Sequence, residues 1–203
     1  MALLDEAFEV LRRDGADAVS LRAVAAAVGV SPSAAYHHFP DKEALLVAVG
    51  DRASELFDRR MIDAAASVRG DSDTAAIKRF VALGRAYIDF AQEEPHLFGH
   101  MFGELCAGSS PITTGGSPAF DTLMTSLDSL AKRGLLRPGV RDGLELVAWS
   151  CVHGFAVLAA AGFMPAGLRD DLLASLRRIV STDHKDPEGR PGSAPPSPST
   201  PCR

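Results

Sequence analysis

His96, His100 and Glu104 recur at every fourth position, which on a helix stacks three metal-capable side chains along one face. A small helical metal-binding protein or enzyme built on His96, His100 and Glu104, with His153, is therefore one reading of the chain. The same spacing makes a polar margin to the apolar face of Leu97, Phe98, Met101, Phe102 and Leu105. No further groups stand ready to orient such ligands, so no metal is assigned. Cys151 and His153 offer a thiol and a base, yet two residues apart on a helix they point to different faces. With neither a Gly-rich phosphate loop nor a nucleophile elbow, the sequence supports no catalytic residue and no cofactor.

Trp149 and His153 lie four apart and can present an indole and an imidazole together. With Phe80, Tyr87, Phe98, Met101, Phe102 and Phe155 they form the candidate lining of a small-molecule pocket, which needs aromatic and apolar walls and a few polar groups. Any one of them also reads as core, because aromatic residues at helical spacing usually pack inward. Cys106 and Cys151 read as small buried apolar side chains, and Cys202 falls in the tail.

The densest set of signals lies in Ser20–Lys42. Ser20 is placed to cap a helix whose apolar face is Leu21, Val24, Ala25 and Val28. Gly29 ends it, Val30 plugs the corner, and Ser31-Pro32 supplies a cap and a first-turn proline for a second short helix. Phe39-Pro40 stops that helix, and Asp41 caps a third. Two short helices joined at a glycine have the shape that sets a helix into the DNA major groove. Small side chains at Ser33 and Ala34 allow close approach to bases, and Tyr36, His37, His38 and Lys42 can donate to phosphates.

The string Leu21-Arg-x-Val-Ala, Gly29-Val-Ser and Tyr36-x-His-Phe-Pro-x-Lys42-Glu-x-Leu45-Leu46 closely resembles the DNA-binding domain of the TetR family of transcriptional regulators. The resemblance covers about the first fifty residues and implies that the helix ending in Tyr-x-His-Phe is the recognition helix. It places Ser33, Ala34 and Tyr36 near bases, and Tyr36, His37, His38 and Lys42 near phosphates. Ser20 and Arg22 match positions that commonly touch the DNA backbone, and the helix start at Ser31 adds a donor end. Phe39 and Leu45 match packing positions. The family's usual basic stretch before the first helix is missing, because the pattern Leu3, Leu4, Ala7, Phe8 begins beside Met1. Either such contacts are forgone or the true start lies upstream.

Charge qualifies this picture. The whole chain of 203 residues carries −5, which excludes a protein that coats nucleic acid non-specifically. Within residues 1–50, Arg12, Arg13, Arg22 and Lys42 face Asp5, Glu6, Glu9, Asp14, Asp17, Asp41 and Glu43, a local charge of −3. A modest number of phosphate contacts is implied, with helix ends and neutral donors contributing. A ligand-binding dimer that no longer reads DNA is the reading this charge leaves open. Three cysteines without paired spacing and no apolar leader suggest a reduced, cytoplasmic setting.

Beyond the reading unit, helical periodicity extends over about 42–68, 74–92, 95–106, 119–132, 141–162 and 165–180. The expected fold is all-α, with about nine helices: a three-helix DNA-binding domain over 1–47, a helical ligand-binding and dimerisation domain over 48–182, and a disordered Pro/Ser-rich tail over 183–203. Residues 108–118 read as a loop. The run Leu146–Met164 is interrupted by Ser150, His153 and Gly154 and is not read as a membrane span. Its Glu145–Leu158 part is apolar almost all round, which demands burial on more than one side. With the final helix (Leu168, Leu172, Leu173, Leu176, Ile179, Val180) it resembles the TetR-type pair that joins its symmetry mate in a four-helix dimer interface. Ala148-Trp-Ser-Cys-Val-His153-Gly154, with Tyr87-x-x-Phe90-Ala-x-x-x-Pro95-x-x-Phe98-x-x-Met101-Phe102, looks like the sensing domain named for its Trp-x-x-x-His-Gly signature. The resemblances together imply a homodimeric repressor on a palindromic, double-stranded operator, released by a small-molecule effector.

Overall fold

The computed structural model describes residues 2–103 and 117–180. Glu104, Cys106, most of the 108–118 segment and the 183–203 tail lie outside the described residues. Among the described residues the fold is all-helical, with nine α-helices: α1 (Ala2–Asp14), α2 (Leu21–Ala27), α3 (Pro32–His38), α4 (Lys42–Ser67), α5 (Asp73–Glu93), α6 (Pro95–Met101), α7 (Pro118–Lys132), α8 (Leu144–Ala160) and α9 (Arg169–Val180).

Local chemistry sets the first three helices. α1 buries Leu3, Ala7, Phe8 and Leu11, and α2 buries Leu21, Val24 and Ala25 against it. Gly29 takes φ +71°, a left-handed geometry in which any other residue is strained. The Val30 N–H donates to the Ala25 carbonyl at 2.9 Å and the Gly29 N–H to that of Ala26 at 3.2 Å, closing the end of α2. Ser31 Oγ then accepts from the Ala34 N–H at 3.2 Å, and Pro32 opens α3. Phe39 is extended before Pro40, and the Asp41 carboxylate accepts from the Ala44 N–H at 2.8 Å to start α4. Ser20 departs from expectation: it holds the cap position of α2 with extended backbone, but its side chain makes no capping bond.

α4 is long because nothing breaks its apolar face until Val68, and it carries the chain from the reading unit into the body. There α5 is central, packing against α4, α6, α7, α8 and α9. α4 also fixes α7: Asp58 Oδ1 accepts from the Ala119 N–H at 2.9 Å and from Ser117 Oγ at 3.4 Å. Burial pushes the Asp58 carboxyl above its ordinary range, and these bonds partly offset the shift.

α8 buries Leu144, Ala148, Val152, Phe155 and Ala156 on one side only. Leu146 (50% exposed), Val147 (51%), Val157 and Leu158 face outward, and Phe163 beyond the helix is 80% exposed. The second covered side expected of this helix is therefore not supplied by the described residues of its own chain. None of the described helices is long and apolar enough to cross a membrane.

Candidate functional site

The α2–α3 unit presents its candidate side chains outward. Ser20, Arg22, Ser31, Ser33, Ala34, Tyr36, His37, His38 and Lys42 are all exposed, whereas Ala35 on the opposite face of α3 is fully buried. That division is the one a recognition helix needs: one face locked into the fold, the other free for a groove. His37 and His38 rings lie edge-on, 6.0 Å apart. Lys42 Nζ donates to the Asp17 carbonyl at 3.2 Å, which ties the start of α4 to the turn before α2. Arg12 and Arg13 are engaged elsewhere, Arg12 with Glu94 and Arg13 with Asp14. Exposed Arg22 and Lys42 are thus the strong cations of residues 1–50 that no carboxylate holds in the contacts seen.

A second site lies in the body. A narrow apolar crevice with free space of about 30 Å³ is lined by Met61 of α4, Phe80, Val81, Leu83, Gly84 and Tyr87 of α5, Ala119 and Leu123 of α7, Ala148, Trp149 and Val152 of α8, and Leu173 and Leu176 of α9. Of the eight side chains proposed from sequence as pocket lining, Phe80, Tyr87 and Trp149 reach it. Phe98, Phe102 and His153 do not line it; they pack beneath as one aromatic cluster. Phe98 and Phe102 centroids are 4.9 Å apart, and Phe102 and His153 are also 4.9 Å apart. Met101 packs half-buried against the core. Phe155 is buried in the core and borders, instead of the crevice, the shallow groove between α8 and α9 with Cys151 and Leu172. Cys151 is accordingly half-buried rather than buried.

Crevice and cluster meet at Tyr87. Its ring contacts Phe57 at 5.2 Å and Trp149 at 5.1 Å, both edge to face, and its hydroxyl lies 2.8 Å from His153 Nδ1. Burial raises the phenol's pKa, so Tyr87 keeps its proton. Burial also lowers the His153 pKa, which favours the neutral imidazole. The unfolded chain then binds a proton at a higher pH than the native one. Stability from this group is full above the unfolded value of about 6.5 and is lost as pH falls below it toward the native pKa. Unfolding free energy should fall by at most about 1.4 kcal/mol per pH unit in that window. Urea titrations between about pH 7 and about pH 5 should show a smaller slope in His153→Gln than in the wild type.

Among the described residues the metal stripe does not assemble. His100 is buried, with Nε2 2.8 Å from the Leu46 carbonyl, while His96 is exposed beside Gly15. Glu104 lies outside the described residues, and no group of three metal-capable side chains occurs among the described ones.

Residues 3–49 match the family model described as bacterial regulatory proteins, tetR family, and residues 80–182 match that of the tetracyclin repressor-like C-terminal domain. The chain belongs to the TetR family. It is a DNA-binding transcriptional regulator and not an enzyme. This TetR-family chain is similar, at 28% identity over 89% of its length and 87% of the relative, to the HTH-type transcriptional regulator YobS of Bacillus subtilis. Among solved structures it resembles a Rhodococcus sp. RHA1 protein of unknown function, at 28% identity with TM-score 0.68, covering 89% of this chain and 94% of that one. The fold is also that of the TetR-family regulator PfmR of Thermus thermophilus, at TM-score 0.54 and 19% identity, covering 91% and 100% of the two chains.

One junction of this TetR-family chain escaped sequence reading. Glu94, between α5 and α6, is 3% exposed and accepts two hydrogen bonds from Arg12 of α1, at 2.7 and 2.6 Å, and one from Arg60 of α4 at 3.4 Å. It thereby joins the reading unit to the body. Its partners lie 82 and 34 residues away in sequence, so local periodicity shows only a glutamate before a proline.

Proposed function

We propose that the protein is a homodimeric repressor, acting in the cytoplasm, that reads a palindromic operator through α3 and leaves it when a small molecule occupies the crevice. In this reading residues 1–47 read DNA, and residues 48–182 sense the effector and dimerise. The observation that carries it is the two-sided α8, which lines the crevice with Trp149 and Val152 and exposes an apolar face that a second copy would cover. Occupancy on one side of α8 and α9 then changes the packing of copies on the other, and with it the half-site spacing. Trp149 and His153 both approach Tyr87, which supports a sensing body of the Trp-x-x-x-His-Gly type. In a mobility shift on the gene's own upstream DNA, Tyr36→Ala combined with Lys42→Ala should weaken binding at least about tenfold. An unshifted upstream region would instead favour a ligand-binding dimer that does not read DNA.

The charge pattern sets the salt dependence. Arg22 and Lys42 give about four strong cationic contacts per dimer, so log K against log salt should have a slope no steeper than about −4 at about pH 8. A slope about twice as steep would contradict this account of the contacts.

A further inference from the structure

The crevice specifies the charge of its guest. None of the described residues lining it is charged, and Tyr87 and Trp149 are the lining residues with a side-chain nitrogen or oxygen. The Tyr87 hydroxyl is already committed to His153 at 2.8 Å. An ion moved here from water would lose its hydration and meet no opposite charge, a loss that apolar contact does not restore. The walls are also close together: a Cβ at Gly84 would stand 2.6 Å from Leu173 Cδ2 and 3.4 Å from Val152 Cγ1, so α5 nearly touches α8 and α9 there.

We propose that the effector is an uncharged, predominantly apolar molecule that enters by wedging α8 and α9 away from α5. This rests on the crevice being the effector site. The guest gains affinity from apolar surface removed from water, and it makes room by displacing Leu173 and Val152 rather than by pairing with an ion. Because Val152 belongs to α8, the helix with the exposed apolar face, the wedge is transmitted outward through α8. A hydrogen-bonding group on the guest has Trp149 available, which permits a hydroxyl or carbonyl and no full charge.

Trp149 is the sole tryptophan of the chain and reports on the crevice directly. The test titrates the full-length protein with decan-1-ol, decanoate and decylammonium, all below their aggregation concentrations, and follows Trp149 emission. The expected result is a saturable change with decan-1-ol at an affinity at least about tenfold tighter than for either ion. Ala148→Phe, which fills the crevice beside Trp149, should abolish the decan-1-ol response while the protein still unfolds cooperatively. Should that variant fail to fold, Val81→Lys places a cation at a half-buried lining position and should shift preference toward decanoate by about tenfold. Decanoate or decylammonium binding as tightly as decan-1-ol to the wild type would overturn the charge assignment and leave the crevice as effector site. Absence of a saturable response to all three would overturn both.

Discussion

Ala34→Glu should abolish operator binding while leaving the protein as stable as before, or slightly more so. Ala34 is exposed on the first turn of α3, and its N–H is held by Ser31 Oγ. Ser31 at the cap and a glutamate three residues on make the capping box in which each side chain satisfies the other's backbone amide. The substitution therefore favours α3, by up to about 1 kcal/mol. At the DNA surface the same carboxylate faces phosphate oxygens and the acceptor edges of bases where a methyl group stood. Repulsion and lost close approach together should cost at least about 100-fold in affinity. Fluorescence anisotropy with upstream DNA, read beside a thermal melt, checks both halves. Binding within a few-fold of the wild type would mean that α3 does not enter the groove.

Glu94→Ala should give the largest loss of stability among changes to charged residues, about 2–4 kcal/mol. Its carboxylate is almost fully buried and takes a two-bond grip from Arg12 together with a third bond from Arg60. Arg12 and Arg60 are partly exposed, 43% and 33%, and regain water when the carboxylate goes, which keeps the loss below that of a fully buried pair. Unfolding in urea should show the shift, and Arg12→Ala in the same background should add little, because both substitutions remove the same bonds. The exposed pair Arg59 and Glu55, at 3.8 Å, is the control: Glu55→Ala should change stability by less than about 1 kcal/mol. A Glu94→Ala effect no larger than the control would show that the junction is held by apolar packing alone.

These two sites mark where the sequence was readable and where it was not. The reading unit was legible because each signal acts within a few residues: Gly29 closes α2, Ser31-Pro32 opens α3, Phe39-Pro40 stops it and Asp41 caps α4. The long helices were legible from periodicity, and α5 and α7 begin within one residue of expectation. Ser20 shows the limit even there, since residue type predicts a cap and its side chain makes no capping bond. In the body, periodicity told which faces are apolar but not which of them close on each other. Tyr87, Phe98, Phe102, Trp149 and His153 do come together, as anticipated for pocket residues, yet Phe98, Phe102 and His153 fill space rather than border it. Met61, Leu123 and Leu173, which border it, carry no mark that separates them from other core side chains. The Glu94 junction depends on pairs far apart in sequence and had no local signature at all.

The inner face of α8 and the outward face of α3 belong to one account only if two copies read DNA together. Hydroxyl-radical footprinting of the upstream region tests this most directly. The account predicts two protected half-sites of an inverted repeat on one face of the duplex, about one helical turn apart, both lost in Ala34→Glu. A single protected segment without symmetry, or protection unchanged by Ala34→Glu, would contradict it.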